Sequence, residues 1–95
     1  MIRSWKNAVA AQVYDGEEPN RLRGVDFDLA RRRLAVLGVA RSLQELGQLK
    51  SVGLHKLKGD RRGQWAMNLN GRWRLVFRYA DGDAFDVEIV DYHKG

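Results

Sequence analysis

Two histidines, His55 and His93, stand in this cysteine-free chain of 95 residues, and each neighbours groups that could share a proton or hold a phosphate. His55 opens the run LHKLKGDRRG, where Lys56, Lys58, Arg61 and Arg62 follow closely; His93 comes directly after Asp91 and Tyr92. From Lys56 to Arg78 the cations Lys56, Lys58, Arg61, Arg62, Arg72, Arg74 and Arg78 are set against one acid, Asp60. Beyond that the sign reverses, with Asp81, Asp83, Asp86, Glu88 and Asp91. A formal charge of +5 favours an acidic partner, nucleic acid being the commonest.

These residue types suit cleavage of RNA in which the substrate's own 2′-hydroxyl is the nucleophile. The protein must then supply a base for that hydroxyl, cations for the charge on the phosphorane, and an acid for the departing 5′-oxygen. Imidazole can serve as base or acid near neutral pH. Lysine and arginine can stabilise the developing charge, and the planar fork of arginine fits two phosphate oxygens at once. His55 and His93 are the candidates for proton transfer, in either order, and Lys58 and Arg74 for the phosphate. Tyr92 would stack on or orient a base and Asp91 would hold a histidine tautomer, while Lys56, Arg61, Arg62, Arg72 and Arg78 would bind the RNA backbone.

Other chemistries lack their parts. No His/Asp/Glu set has metal-ligand spacing, so neither a metal nor another cofactor is expected. In LKGDRRGQ the lysine precedes the turn and no helix follows, unlike a phosphate-binding loop. Ser4, Ser42 and Ser51 have no nucleophile context. No apolar run approaches the ~20 residues that span a bilayer, and the polar N-terminus does not read as a signal peptide. The expectation is a cytoplasmic protein without a membrane partner.

The elements that must position these groups read as an α+β domain covering residues 1–95. MIRSW is a candidate first strand. Asn7 can cap a helix through AVAAQVYD and Asp26 a second, FDLARRRLAVLGVAR, in which Phe27, Ala30, Leu34 and Leu37 form an apolar stripe while Arg31, Arg32 and Arg33 mostly face away. SLQELGQLKSVG reads as a connector with one turn of helix. LHKLK, GQWAMNL, RWRLVFRY and DAFDVEIVDY read as strands, the last three alternating with period two. Trp65, Met67 and Leu69, then Trp73, Leu75, Phe77 and Tyr79, then Phe85, Val87 and Ile89 must share a buried face. This predicts three-residue loops at both hairpins, with Gly71 left-handed, Met67 opposite Trp73, Phe77 opposite Phe85, and Arg74 across from Glu88. Each helix has one apolar stripe, enough to cover one side of the sheet. The other side should be open, polar and partly basic. Leu54 and Leu57, three apart, cannot both point the same way in a regular strand.

The pattern LHKLKGDRRGQWAMNLNGRWRLVFRYADGDAFDVEIVDYH resembles the HigB toxins, or plasmid-maintenance killer proteins, of the RelE/ParE superfamily. L-H-x-L-K-G-D-R-x-G, N-G-x-W-R-[LI]-x-F, G-D-A-[FY] and a terminal D-Y-H together make the likeness specific, and it is looser in the helices. The resemblance implies a RelE-like fold, two N-terminal helices packed on one face of a small, mostly antiparallel sheet. It implies a ribosome-dependent mRNA interferase that cuts mRNA in the A site of the 70S ribosome. It implies a HigA-like helix-turn-helix antitoxin, with operator DNA bound only through the toxin–antitoxin complex. Carried over by motif, the family's site falls on His55, Lys58, Arg74, Asp91, Tyr92 and His93. Two other readings compete: a ParE-like gyrase inhibitor, which shares the fold without an RNase site, and a non-toxic RNA-binding module.

Overall fold

The structure, a computed structural model, describes residues 1–92. Helix α1 (Ala8–Tyr14) starts at Asn7, whose Oδ1 accepts from the Val9 amide at 3.2 Å. Helix α2 (Phe27–Val39) starts at Asp26, whose Oδ1 accepts from the Leu29 amide at 3.0 Å. Short polar side chains there satisfy first-turn amides that have no carbonyl partner. A one-turn helix α3 (Leu43–Gly47) follows, within the expected connector. Strands β1 (His55–Lys56), β2 (Trp65–Asn68), β3 (Trp73–Ala80) and β4 (Asp83–Asp91) form an antiparallel sheet in the order β1-β2-β3-β4. The expected first strand is reduced to two parallel bridges against β4, Ile2 with Ala84 and Trp5 with Val87.

The three helices cover one face. Ala10 and Val13 of α1, Ala30, Leu34 and Leu37 of α2, and Leu46 of α3 are buried against Met67, Leu75, Phe77, Val87 and Ile89 of the sheet. Trp65 and Trp73 pack at the edge of this core. The arginine run of α2 departs from the expected solvated face. Arg31 donates from Nε to the Val13 carbonyl at 3.0 Å and from Nη2 to the Glu17 carbonyl at 2.9 Å, and Arg33 donates to the Ser51 carbonyl at 2.9 Å. Of the three, Arg32 is exposed and Arg31 and Arg33 are half-buried.

The two hairpins solve the facing problem differently. At β2–β3 the loop is the expected three residues, with Gly71 left-handed at φ 55°, but Met67 lies opposite Leu75, not Trp73. Counting outward from a three-residue loop pairs Leu69 with Trp73, so Met67 must meet Leu75. At β3–β4 the expected three-residue loop is absent. Asp81 (φ 52°) and Gly82 (φ 82°) make a two-residue turn with both φ positive, the type whose twist matches a hairpin. That turn pairs Arg78 with Phe85, so Phe85 leaves the core face and Ala84 takes its place. Facing is restored by a bulge within β4, where Asp86 (φ 52°) and Val87 together lie opposite Phe77. The Asp86 amide, displaced from the ladder, donates to Ser4 Oγ at 2.8 Å.

Beyond the bulge the register differs again from expectation. Arg74 is paired with Val90, and Glu88 with Val76. The uncovered face is therefore less polar than its alternation suggested, because Leu57, Ala66 and Val76 are buried there beneath Val90 and Tyr92.

Candidate active site

Val52 ends a short 3₁₀ turn inside the core, and Gly53 reverses the chain in the left-handed region at φ 59°, ψ 41°. A side chain at Gly53 would be strained by that φ and would run into the Asn68 amide group. After the reversal Leu54 packs on the main core and Leu57 on the uncovered face, which resolves their facing. His55 pairs with Ala66, a member of the same uncovered-face cluster, and its ring is exposed. Its Nδ1 lies 2.8 Å from the Gly53 carbonyl oxygen. A carbonyl can only accept, so Nδ1 carries the proton and Nε2 is the ring atom left to exchange one.

The loop from Lys58 to Gly63 is closed by the Leu57 amide donating to the Gln64 carbonyl at 3.0 Å, and carries Lys58 exposed at its start. On β3, Arg74 donates from Nη1 to the carbonyls of Gly71 and Trp73, both at 2.8 Å. Among the described residues it has no carboxylate partner, and Nε and Nη2 remain as donors. At the end of β4 the Tyr92 amide donates to the Arg72 carbonyl at 2.9 Å, and the Tyr92 ring packs against the Leu57–Ala66–Val76 cluster.

These placements bring His55, Lys56, Leu57, Lys58, Arg72, Arg74 and Tyr92 around one open cleft of about 560 Å³. Among the described residues four of the lining side chains are cations and none is a carboxylate. Cations crowded on a partly apolar floor, with an imidazole at the rim, suit a polyanion whose bases need an apolar or aromatic contact. Lys56, Leu57 and Lys58 continue into a second groove of about 460 Å³ that ends at Gly59 and Arg62. Lys56 Nζ also lies 5.7 Å from the centre of the Trp65 ring.

The remaining sequence candidates lie elsewhere. Arg61 Nη1 is 3.1 Å from Glu88 Oε2, and Arg78 Nε is 3.8 Å from Asp86 Oδ2. The expected pair of Arg74 with Glu88 does not form. Asp91 is opposite Trp73, on the side of the sheet that faces the helices, with its Oδ1 3.7 Å from Arg72 Nε. Among the described residues no carboxylate holds the His55 tautomer; the Gly53 carbonyl does so. His93 lies outside the described residues. Among those residues no group of three or more His, Cys, Asp or Glu side chains is gathered, and no helix is long and apolar enough to cross a membrane. The apolar floor was missed from sequence, although Val76 and Val90 on an otherwise polar face were its signal. Gly53 acts through a backbone oxygen, which no side-chain pattern announces.

Among the described residues, three α-helices on one face of a four-stranded antiparallel sheet make an α+β fold of the kind a RelE-like toxin has. The family model for the RelE-like toxin of type II toxin-antitoxin system HigB matches residues 3–93. Endoribonuclease HigB of Proteus vulgaris is 31% identical over 93 residues, covering 98% of this chain and 100% of that protein. The chain belongs to the HigB-like toxins of type II toxin–antitoxin systems, a class that works with a cognate antitoxin.

Proposed function

We propose that this toxin is an endoribonuclease that cuts mRNA in the ribosomal A site by attack of the 2′-hydroxyl on its own 3′-phosphodiester. The observation that carries this reading is the gathering of His55, Lys58, Arg74 and Tyr92 around one cleft. The likeness to an endoribonuclease over the whole chain agrees with it.

In this reading His55 Nε2 takes the proton of the 2′-hydroxyl, because Nδ1 is committed to Gly53. The 2′-oxygen bonds to phosphorus, and the added negative charge on the phosphorane falls to Lys58 and to the remaining donors of Arg74. The bond from phosphorus to the 5′-oxygen then breaks, and that oxygen takes a proton from a general acid, assigned to His93. The products are a 2′,3′-cyclic phosphate and a 5′-hydroxyl. Tyr92 supports the base beside the scissile phosphate. Lys56, Arg62 and Arg72 hold flanking phosphates, so binding should weaken steeply with added salt. The protein works in the cytoplasm, silenced by a HigA-like helix-turn-helix antitoxin, and meets operator DNA only through that complex.

The test is a reconstituted translation reaction with primer extension. Cuts should appear only when ribosomes translate the message, with 5′-hydroxyl ends downstream. A single 2′-deoxy substitution on the 5′ side of the cut should abolish it. Cleavage surviving that substitution, or intact message with gyrase supercoiling blocked instead, would overturn the reading.

A further inference from the structure

Glu88 is a charged residue only 8% exposed, at the middle of β4 and on the cleft side of the sheet. A carboxylate withdrawn from water to that extent needs a close cation, and Arg61 provides it at 3.1 Å. The same Nη1 of Arg61 donates to Gln64 Oε1, also at 3.1 Å, and Gln64 is itself buried. Arg61 and Gln64 belong to the segment that carries Lys58. The Arg61 amide donates to the Lys58 carbonyl, the Arg62 amide to that of Gly59, and the Gln64 amide to that of Arg61. The segment is therefore stiff within itself, and the Arg61 guanidinium anchors it to β4.

The geometry points to Glu88 as a positioning residue for Lys58, acting through Arg61 and touching no substrate. Neither Glu88 nor Arg61 lines the cleft that holds His55 and Arg74. Both line a separate polar groove with Lys6, Asp60, Gln64 and Arg78. Its charges, Lys6, Arg61 and Arg78 against Asp60 and Glu88 with Asp86 bound to Arg78, nearly cancel, so this groove has little pull on a phosphate. In this proposal Arg61 serves the loop, in place of the RNA-backbone role its residue type suggested. A single nitrogen, Nη1, donates to both the Glu88 carboxylate and the side-chain oxygen of Gln64, so one group ties the loop to β4. Releasing the anchor frees Lys58 to wander by an ångström or more from the phosphate, enough to cost rate without costing affinity.

This inference rests on the proposed role of Lys58, and a double-mutant cycle separates the two. Wild type, Lys58→Ala, Glu88→Ala and the double variant are compared for cleavage rate at saturating programmed ribosomes and for half-saturation. Lys58→Ala should be slow. Glu88→Ala should lose on the order of ten- to a hundredfold in rate with half-saturation little changed. The double variant should be no slower than Lys58→Ala alone, and Glu88→Gln, which still accepts from Arg61, should recover most of the rate. If Glu88→Ala does not fold, Arg61→Ala replaces it in the same cycle. Glu88→Ala at the wild-type rate, or a double variant slowed by the full product of the two single losses, overturns the inference while leaving the function standing. Lys58→Ala at the wild-type rate overturns the proposed role of Lys58 and the inference with it, while a wild type that leaves programmed mRNA uncut overturns the proposed function.

Discussion

The ring of His55 is tied to the carbonyl oxygen of Gly53, two residues before it, at 2.8 Å. In the proposed mechanism this contact leaves Nε2 as the nitrogen that can work. Asparagine at position 55 would place an amide where Nδ1 stands and nothing where Nε2 stands. Glutamine would reach the Nε2 position with a group that neither gains nor releases a proton at neutral pH. Both His55→Asn and His55→Gln should therefore fold normally, since the ring is exposed, and lose about 10²- to 10⁴-fold in cleavage rate. Single-turnover cleavage on programmed ribosomes measures this. A His55→Asn variant within a few-fold of wild type would remove Nε2 from the mechanism.

The tip of the β2–β3 hairpin is stapled to the entry of α2 by one side chain. Asn70 Oδ1 accepts from the Asp26 amide at 2.7 Å, and Asn70 Nδ2 donates to the Gly24 carbonyl at 2.7 Å. Both links join residues distant in sequence, so they hold helix layer and sheet in register. Asn70→Ala should cost about 1–2 kcal/mol, or a fall of roughly 5–15 °C in Tm for a chain this size. Asn70→Asp keeps the acceptor but sets a carboxylate oxygen against the Gly24 carbonyl, and should cost at least as much as alanine. Urea melts with an unchanged m-value measure it, and an alanine variant as stable as wild type would show the staple to be idle.

What the sequence revealed and what it concealed divide along physical lines. Asn7, Asp26 and the stripe Ala30, Leu34 and Leu37 were legible because capping and helical periodicity are local properties. The strands were legible for the same reason. Register was not, because Asp81–Gly82 and Asp86 each reverse the facing and so cancel each other in any count of alternation. An aspartate accepting a positive φ in mid-strand leaves no mark in a hydropathy pattern. The error carried to the site: the two shifts together moved the expected partner of Arg74 from Val90 to Glu88, when Glu88 holds Arg61 and Arg74 is held by carbonyls. Residue types singled out most of the side chains that line the cleft, whereas the long-range contacts that hold them could be read only in three dimensions.

At the far end of the sheet, Asp83 binds the N-terminal segment to β4. Arg3 Nε lies 3.1 Å from one carboxylate oxygen and the α-ammonium of Met1 3.3 Å from the other. The hydrogen bond from Arg3 is the main reason that the Asp83 carboxyl is held below its ordinary range, partial desolvation opposing it and the Met1 ammonium adding to it. A depressed carboxyl pKa stabilises the folded state above the unfolded-state pKa, and that contribution is lost as pH falls through the folded value. Wild type should therefore exceed Asp83→Asn in stability at neutral pH, and the gap should close below the usual carboxylate range. Added salt should narrow it at neutral pH. Melts of both proteins across the acid range test this, and a gap that persists at the lowest pH would assign it to packing instead of charge.

Arg74 and Lys58 share the cleft but are held in opposite ways, so exchanging lysine and arginine should not be symmetric. Arg74 spends one nitrogen on the carbonyls of Gly71 and Trp73, leaving two others for phosphate. A lysine carries its donors on one atom and cannot fill both roles, so Arg74→Lys should fall nearly as far as Arg74→Ala, about a hundredfold in rate. The Lys58 ammonium has no hydrogen bond or ion pair among the described residues and stands exposed on its loop, where it acts as a point charge. Lys58→Arg should therefore retain activity within about tenfold of wild type, since the charge survives and no bonded neighbour is lost. Cleavage rates for the three variants at saturating programmed ribosomes decide the matter. Equal losses for Arg74→Lys and Lys58→Arg would mean that the carbonyl anchors of Arg74 do not set its catalytic geometry.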